Sequence, residues 1–465
     1  MKTLLPWLTL LATGWLAMAA STPENKRPLT PYDLWAMKRL GSPALSPDGK
    51  AAVFTVTEWS IEKNKSTSHL WLVDLAGGAS RRLTSAPNAT DASPRWSPDG
   101  KRIAFTSKRG EDEAAALYVM RIDGGEPEKI LELPYSISSP RWMPDGQRVV
   151  VATRVIPELA GKLGKEELAA MRKEMKRRKD SKITAKVTED RQFRFWDQWL
   201  TDGLAHRLLL VDVAMRTFTD LTPGFNRLFV TTGQTAPEAR FDLAPDGLHI
   251  AVTINSTLPP YEGFLNDDIY LLPTDGSGAL KNLTSDNKGH DGGAVFAPDS
   301  RSLVYTRTET PYYNGEFAKL WRHDLATGTH TPLTETLDHA IGSATFSADG
   351  RTLWLTAEEN GVLPIFKIHA DGSGFASVFK SGTSSGFDAA AGAAVFLNNS
   401  SGRPDELFAL DLATGTARQL THFNDALLGK LDLGRTETYW FEGAAGDRVH
   451  GMLFFPPGFD PAKSY

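Results

Sequence analysis

The chain contains no cysteine. That excludes disulfides, thiolate metal centres, a cysteine nucleophile and a lipid-anchored amino-terminal cysteine. It also lacks an excess of either charge: 51 Lys and Arg stand against 56 Asp and Glu, a net charge of −5. So mild a balance gives no reason to expect nucleic acid as a partner. His290, His323, His339 and His422 are scattered, without spacing such as H-x-x-x-H, so no metal site is expected, and no ligand cluster suggests a cofactor. The one apolar run at the amino terminus, Leu4 to Ala17, is short and is interrupted by Pro6 and Gly14. Preceded by Lys2 and followed by Ala17-Met18-Ala19, it reads as a secretory signal peptide over residues 1–20 rather than a membrane anchor. The mature chain is expected to be periplasmic or secreted, with no stable membrane insertion after cleavage.

What is abundant is one turn. Ser46-Pro47-Asp48-Gly49 recurs as Ser97-Pro98-Asp99-Gly100, Met143-Pro144-Asp145-Gly146 and Ala244-Pro245-Asp246-Gly247. Ala297-Pro298-Asp299-Ser300 and Ser347-Ala348-Asp349-Gly350 are weaker copies. Each runs into an apolar strand such as Ala52-Val53-Phe54 or Val149-Val150-Val151. Proline presets the first turn dihedral, and Asp-Gly supplies a polar residue and a positive-φ residue, so the pattern reads strand, turn, strand. A second piece, of the type Leu70-Trp71-Leu72-Val73-Asp74-Leu75, occurs seven times, through to Leu407-Phe408-Ala409-Leu410-Asp411-Leu412. Many copies are followed by a Leu-Thr pair, as at Leu83-Thr84 and Leu420-Thr421. A period of about 40–50 residues with several strands each is the mark of a β-propeller. The expected fold is all-β: a seven-bladed propeller over residues 46–433, its missing turn placed near Gly386-Phe387-Asp388.

Residues 21–45 form a leader, with Thr30-Pro31 set to cap a short amphipathic helix. Between Asp145 and Asp246 the period doubles while the second strand piece appears only once, so residues 155–205 read as a helical insertion in blade three. Lys165 to Asp180 carries Leu168, Met171 and Met175 at helical spacing on an otherwise basic segment, as for a solvated helix lying on the propeller. Phe193-Arg194-Phe195-Trp196-Asp197-Gln198-Trp199 follows, four aromatics around two charges. Packing is the ordinary use of such density, and a pocket lining is the alternative.

Gly382-Thr383-Ser384-Ser385-Gly386 matches the G-x-S-x-G pattern of serine hydrolases. The repeat places it in a Gly/Ser loop between blades, without parallel-sheet flanks or an oxyanion loop, so Ser384 is not expected to be a nucleophile. Asp91, Glu238 and Asp291 each stand eight positions before the turn Asp of their own repeat. That register puts them at one end of the innermost strands, either satisfying loop backbone groups or forming an acidic rim for a cationic ligand.

After the last repeat come Tyr439-Trp440-Phe441 and then Gly451-Met452-Leu453-Phe454-Phe455-Pro456-Pro457-Gly458-Phe459-Asp460-Pro461, which lack both repeat pieces. This tail, the Leu29-Thr30-Pro31-Tyr32-Asp33-Leu34 leader and the Phe195-to-Trp199 segment together resemble the amino-terminal part of prolyl oligopeptidase family serine peptidases, in their exported dipeptidyl-peptidase and acylaminoacyl-peptidase branch. The resemblance implies that residues 434–465 are the first strands of an α/β-hydrolase domain carrying a Ser, Asp, His triad, so the chain itself holds no catalytic triad and is expected to be inactive alone. It further implies a propeller that gates the site and admits short peptides, with the hydrolase domain as its partner. Substrate-binding candidates are Arg194, Trp196, Asp197 and Trp199 in the insertion, with Asp91, Glu238 and Asp291 at the channel. Two rivals stand beside this reading: a stand-alone periplasmic propeller that docks other proteins, and a cofactor-binding propeller enzyme.

Overall fold

A computed structural model describes residues 26–195, 198–230, 239–313 and 315–465. The signal segment, the cleavage site and Glu238, Trp196 and Asp197 lie outside these residues. Among the described residues no helix is long and apolar enough to cross a membrane.

The repeating turn forms because its side chains close it. Ser46 Oγ donates to Asp48 Oδ1 at 2.6 Å, the same Asp oxygen accepts the Lys50 amide, and Gly49 N–H returns to the Ser46 carbonyl. The same closure holds around Ser97 and Asp99, and around Ser347 and Asp349. Gly49, Gly100, Gly146, Gly247 and Gly350 all have φ between 64° and 72°, a conformation that glycine alone enters freely. The strand after each turn is apolar on both sides because it lies between two neighbouring sheets. Val149 and Val151 pack toward the preceding repeat with Ala104 and Val119, while Val150 and Ala152 pack toward the next with Ile250 and Val252. Ring closure follows the same rule: Phe54 and Val56 from the beginning share a cluster with Val395 and Leu397 near the end.

The Leu-Thr pairs have a single structural use. In each, the threonine Oγ1 accepts a backbone N–H from the third strand of its own sheet: Leu70 to Thr84, Leu208 to Thr222, Ile269 to Thr284, Leu320 to Thr334 and Leu407 to Thr421, at 2.8–3.1 Å. All five threonines are buried. They satisfy amides that the short outer strands, two to four residues long, do not reach.

The blade count differs from the sequence expectation. Among the described residues there are five four-stranded blades, not seven. The first two repeats do not stand as two further separate blades, because they are joined in one nine-stranded sheet. The cause is the length of the strand Lys65–Asp74 against an outer strand of only two residues, Arg81–Arg82. Its uncovered end meets Thr90 through Ser68, whose N–H donates to the Ala89 carbonyl and whose hydroxyl donates to the Asp91 carbonyl. Arg39–Leu40 adds to the same sheet beside Ala51–Ser60. The missing turn is also elsewhere: Ala391 and Gly392, at φ 47° and 82°, join Thr383–Ala390 to Ala393–Ser400, and Gly386 is a bulge inside the first of these strands.

Among the described residues no strand is exchanged between the first and last sheets. They are instead tied by Leu45 N–H to Asp388 Oδ2 at 2.8 Å and by reciprocal bonds between Lys38 and the Asn424 amide at 2.9 and 3.0 Å. Arg27–Pro28 pairs in parallel with Leu431–Asp432. In the leader, the helix Pro31–Ala36 is closed by a capping box between Thr30 and Asp33, and Arg27 forks onto the Asp33 carboxylate at 2.7 Å.

Candidate functional site

The innermost strands wall a cavity of about 460 Å³. Most of them carry a bulge two or three residues before the turn, seen as register shifts at Ala92/Arg95, Ser138/Arg141, Gly292/Val295 and Ser385/Asp388. A bulge re-aims the following side chain. One repeated register position, opposite the second residue of the apolar strand, is held by Arg95, Arg141, Asp242 and Asp388 in four repeats and by Ala44, Val295 and Thr345 in the others, and for Arg95, Arg141, Val295 and Asp388 it is the residue directly after the bulge. The bore thus brings two arginines and two aspartates to one level.

These four groups do not pair directly among the described residues. Arg95 donates only to the Pro94 carbonyl at 2.9 Å, and Arg141 only to the Pro140 carbonyl at 3.2 Å. Asp388 accepts the Leu45 amide, and Asp242 accepts the Phe296 amide at 2.9 Å. Burial, and then the neighbouring Arg141 charge, pulls Arg95 down to about 10. Burial likewise lowers Arg141 and raises Asp242 and Asp388. Two tryptophans lock the arginine strands: Trp96 Nε1 donates to the Ala44 carbonyl at 2.9 Å and Trp142 Nε1 to the Arg95 carbonyl at 3.1 Å. Each ties its strand to the preceding repeat.

The acidic residues singled out from the register are committed to internal partners. Asp91 is buried and accepts from Thr84 and Ser107, and Arg109 pairs with it at 2.8 Å. Asp291 is buried against Arg307 at 2.8 Å and Asn287 at 3.1 Å. Ser384 lies within the strand Thr383–Ala390 rather than in a loop, fully buried, accepting from Asn398 Nδ2 at 3.3 Å. No serine hydroxyl meets a histidine ring nitrogen among the described residues.

The insertion leaves at Val155 and returns at Ala205. Its helix Lys165–Asp180 docks by Met171, which is buried, and by Leu168, in the cluster with Val155 and Leu204. Arg194–Phe195 and Gln198–Trp199 form a small hairpin, with the Arg194 guanidinium 5.2 Å from the Trp199 ring centroid and Phe193 beside it. Phe193 and Trp199 are exposed. Arg191 tethers this hairpin to the loop after Asn255, through Glu262 at 2.9 Å and the Pro260 carbonyl at 2.8 Å. Because every second strand ends where its innermost partner begins, the insertion and that loop emerge on the face opposite the Pro-Asp-Gly turns. The tail hairpin, Thr436–Glu442 with Arg448–Phe454, lies on this face too: a Cβ on Gly361 would stand 3.1 Å from Met452 Sδ. Tyr439, Trp440, Phe441, Leu453 and Phe454 are exposed on it.

Residues 36–157 match the TolB β-propeller domain model. Dipeptidyl-peptidase 5 of Porphyromonas gingivalis is 26% identical, over 98% of this chain and 65% of its own length. The enzyme of the same name from Porphyromonas endodontalis is 28% identical, over 94% and 61%. The acylaminoacyl peptidase of Pyrococcus horikoshii superposes with a TM-score of 0.68 at 19% identity, over 90% of this chain and 58% of that one. The β-propeller domain of the trilobed protease from Pyrococcus furiosus does so at 0.56 and 21%, over 83% and 97%. The resemblance to prolyl oligopeptidase family peptidases holds. The chain spans less than two thirds of the length of these curated relatives, and the solved structures show that the propeller fold is shared. Sequence reading missed the arginine and aspartate level of the bore. The signal was present: Ser-Pro-Arg-Trp occurs twice, as Ser93–Trp96 and Ser139–Trp142.

Proposed function

We propose that this chain is the substrate-admitting propeller of an exported serine peptidase that removes short units from peptides, of the dipeptidyl-peptidase or acylaminoacyl-peptidase type. The observation that carries the reading is the match of 98% of the chain, propeller and tail together, to a dipeptidyl-peptidase 5. The tail hairpin supports it, because a two-stranded sheet with aromatic side chains exposed is an element that gains stability by joining a larger sheet or packing layer. The nucleophile, base and oxyanion donors then belong to a hydrolase domain seated on the loop face, and the residues described above bind and gate without cleaving. On that face the hairpin of Arg194–Phe195 and Gln198–Trp199 meets the peptide before hydrolysis. Export rests on the Ala17-Met18-Ala19 pattern, and amino-terminal sequencing of secreted protein that begins near Ala20 or Ser21 checks it.

The test is an aminoacyl-dipeptide chromogenic assay. This chain alone is expected to give no turnover above background, and a form extended by the following coding sequence is expected to give turnover abolished by a serine-directed inhibitor. Inhibitor-sensitive turnover by the chain alone would refute the assignment of roles. A stop codon directly after Tyr465 would favour the stand-alone docking propeller instead.

A further inference from the structure

The paired Ser-Pro-Arg-Trp segments are unexplained by gating. At the bulge position Gly293 and Gly386 have φ of 65° and 60°, which suits glycine. Ser93 and Ser139 adopt the same conformation, both at φ 53°. A side chain held there is strained, so a hydroxyl stands where glycine would be relaxed. Both serines line the cavity beside the arginine that follows two residues later. Each guanidinium uses one N–H group on its own preceding carbonyl. The rest of its donor fork is uncommitted among the described residues, and the two arginines line one cavity from adjacent repeats, close enough for the Arg141 charge to act on Arg95.

We propose that these two segments build a carboxylate-binding site in the bore and, resting on the peptidase reading above, that its ligand is the free C-terminal carboxylate of a short peptide. A carboxylate between the two forks accepts charge-assisted bonds from both and offsets their mutual repulsion. The serine hydroxyls supply two further donors. Asp242 and Asp388, held by the Phe296 and Leu45 amides, stand near the arginines and already offset part of their charge, so the ligand's carboxylate is drawn by the open donor forks rather than by net charge. A cavity of about 460 Å³ suits a ligand of two or three residues.

Calorimetric titration of this chain with Ala-Ala-Ala, its C-terminal amide and acetate tests the site. The free acid is expected to bind at least about tenfold more tightly than the amide, and acetate to compete with it. R95Q/R141Q, with its fold checked by circular dichroism, is expected to lose the discrimination. R95K/R141K keeps both charges without the fork and is expected to retain part of it. Equal affinity for acid and amide, or discrimination that survives in R95Q/R141Q, overturns the site. Failure of both acids to bind overturns it as well, while leaving the turnover assay of the extended protein as an independent test of the peptidase reading. Acetate binding lost in R95Q/R141Q, with a tripeptide that binds no better than acetate, supports the carboxylate site and overturns the peptide ligand.

Discussion

The threonine staples give an internal comparison. Thr334 Oγ1 accepts the Leu320 amide at 2.8 Å and makes no bond to a carboxylate among the described residues, whereas Thr84 Oγ1 accepts the Leu70 amide at 2.9 Å and donates to Asp91. Valine matches threonine in shape and removes the hydroxyl. Thr334→Val leaves one buried N–H without a partner, a loss of about 1–3 kcal/mol. Thr84→Val leaves the same kind of orphan and also withdraws a donor from a buried carboxylate, a charge-assisted bond worth about 1.5–3 kcal/mol. Asp91 keeps Ser107 and Arg109, which recovers part of that second loss. T84V should therefore destabilise more than T334V, by about 1–2 kcal/mol. Urea titration followed by tryptophan fluorescence, with amide exchange at Leu70 and Leu320 as the local readout, measures both. A neutral T334V, or a T334V as costly as T84V, refutes the account of the Leu-Thr pairs as backbone staples.

His206 provides a pH dependence. Its ring is buried, Nδ1 accepts the Phe229 amide at 2.8 Å, and burial pushes it down to about 3. The unfolded chain takes up the proton near 6.5 and the folded chain does not, so this contribution is present above about pH 6.5 and lost as pH falls toward 3, by about 2 kcal/mol at pH 5. His206→Asn should flatten the slope of stability against pH between 7 and 5, measured by urea midpoints; an unchanged slope contradicts the assignment. Met171→Ala should cost about 2–4 kcal/mol where the insertion helix docks and speed tryptic cleavage within Lys165–Asp180. Equal cleavage rates would mean that the helix is not held by that side chain. Ser384→Ala should leave the hydrolytic activity of the extended protein unchanged and cost about 1 kcal/mol or less, since it removes one long bond to Asn398.

Much of the fold was legible because its devices are local. The Ser-Pro-Asp-Gly turn is closed by its own side chains, and the Leu-Thr edge acts within one sheet, so both are visible as short motifs. The insertion was legible as a broken period. The candidate site was harder to read. Asp91 and Asp291 were conspicuous by register, yet the chain folds Arg109 and Arg307 onto them. Arg95 and Arg141 were inconspicuous because each looks like an ordinary strand residue until a bulge aims it inward.

By itself the sequence determined the repeat, the all-β class, the helical insertion and the kinship to peptidase propellers, because hydrophobic alternation and turn chemistry act between residues close along the chain. Only the tertiary structure decided how the repeats join. Whether two neighbours remain separate four-stranded blades or merge, as the first two do through Ser68 and Thr90, depends on strand overhang in space. It also decided which charges meet at one level of the bore, since Arg95 and Asp388 lie far apart in sequence and become neighbours only when the ring closes.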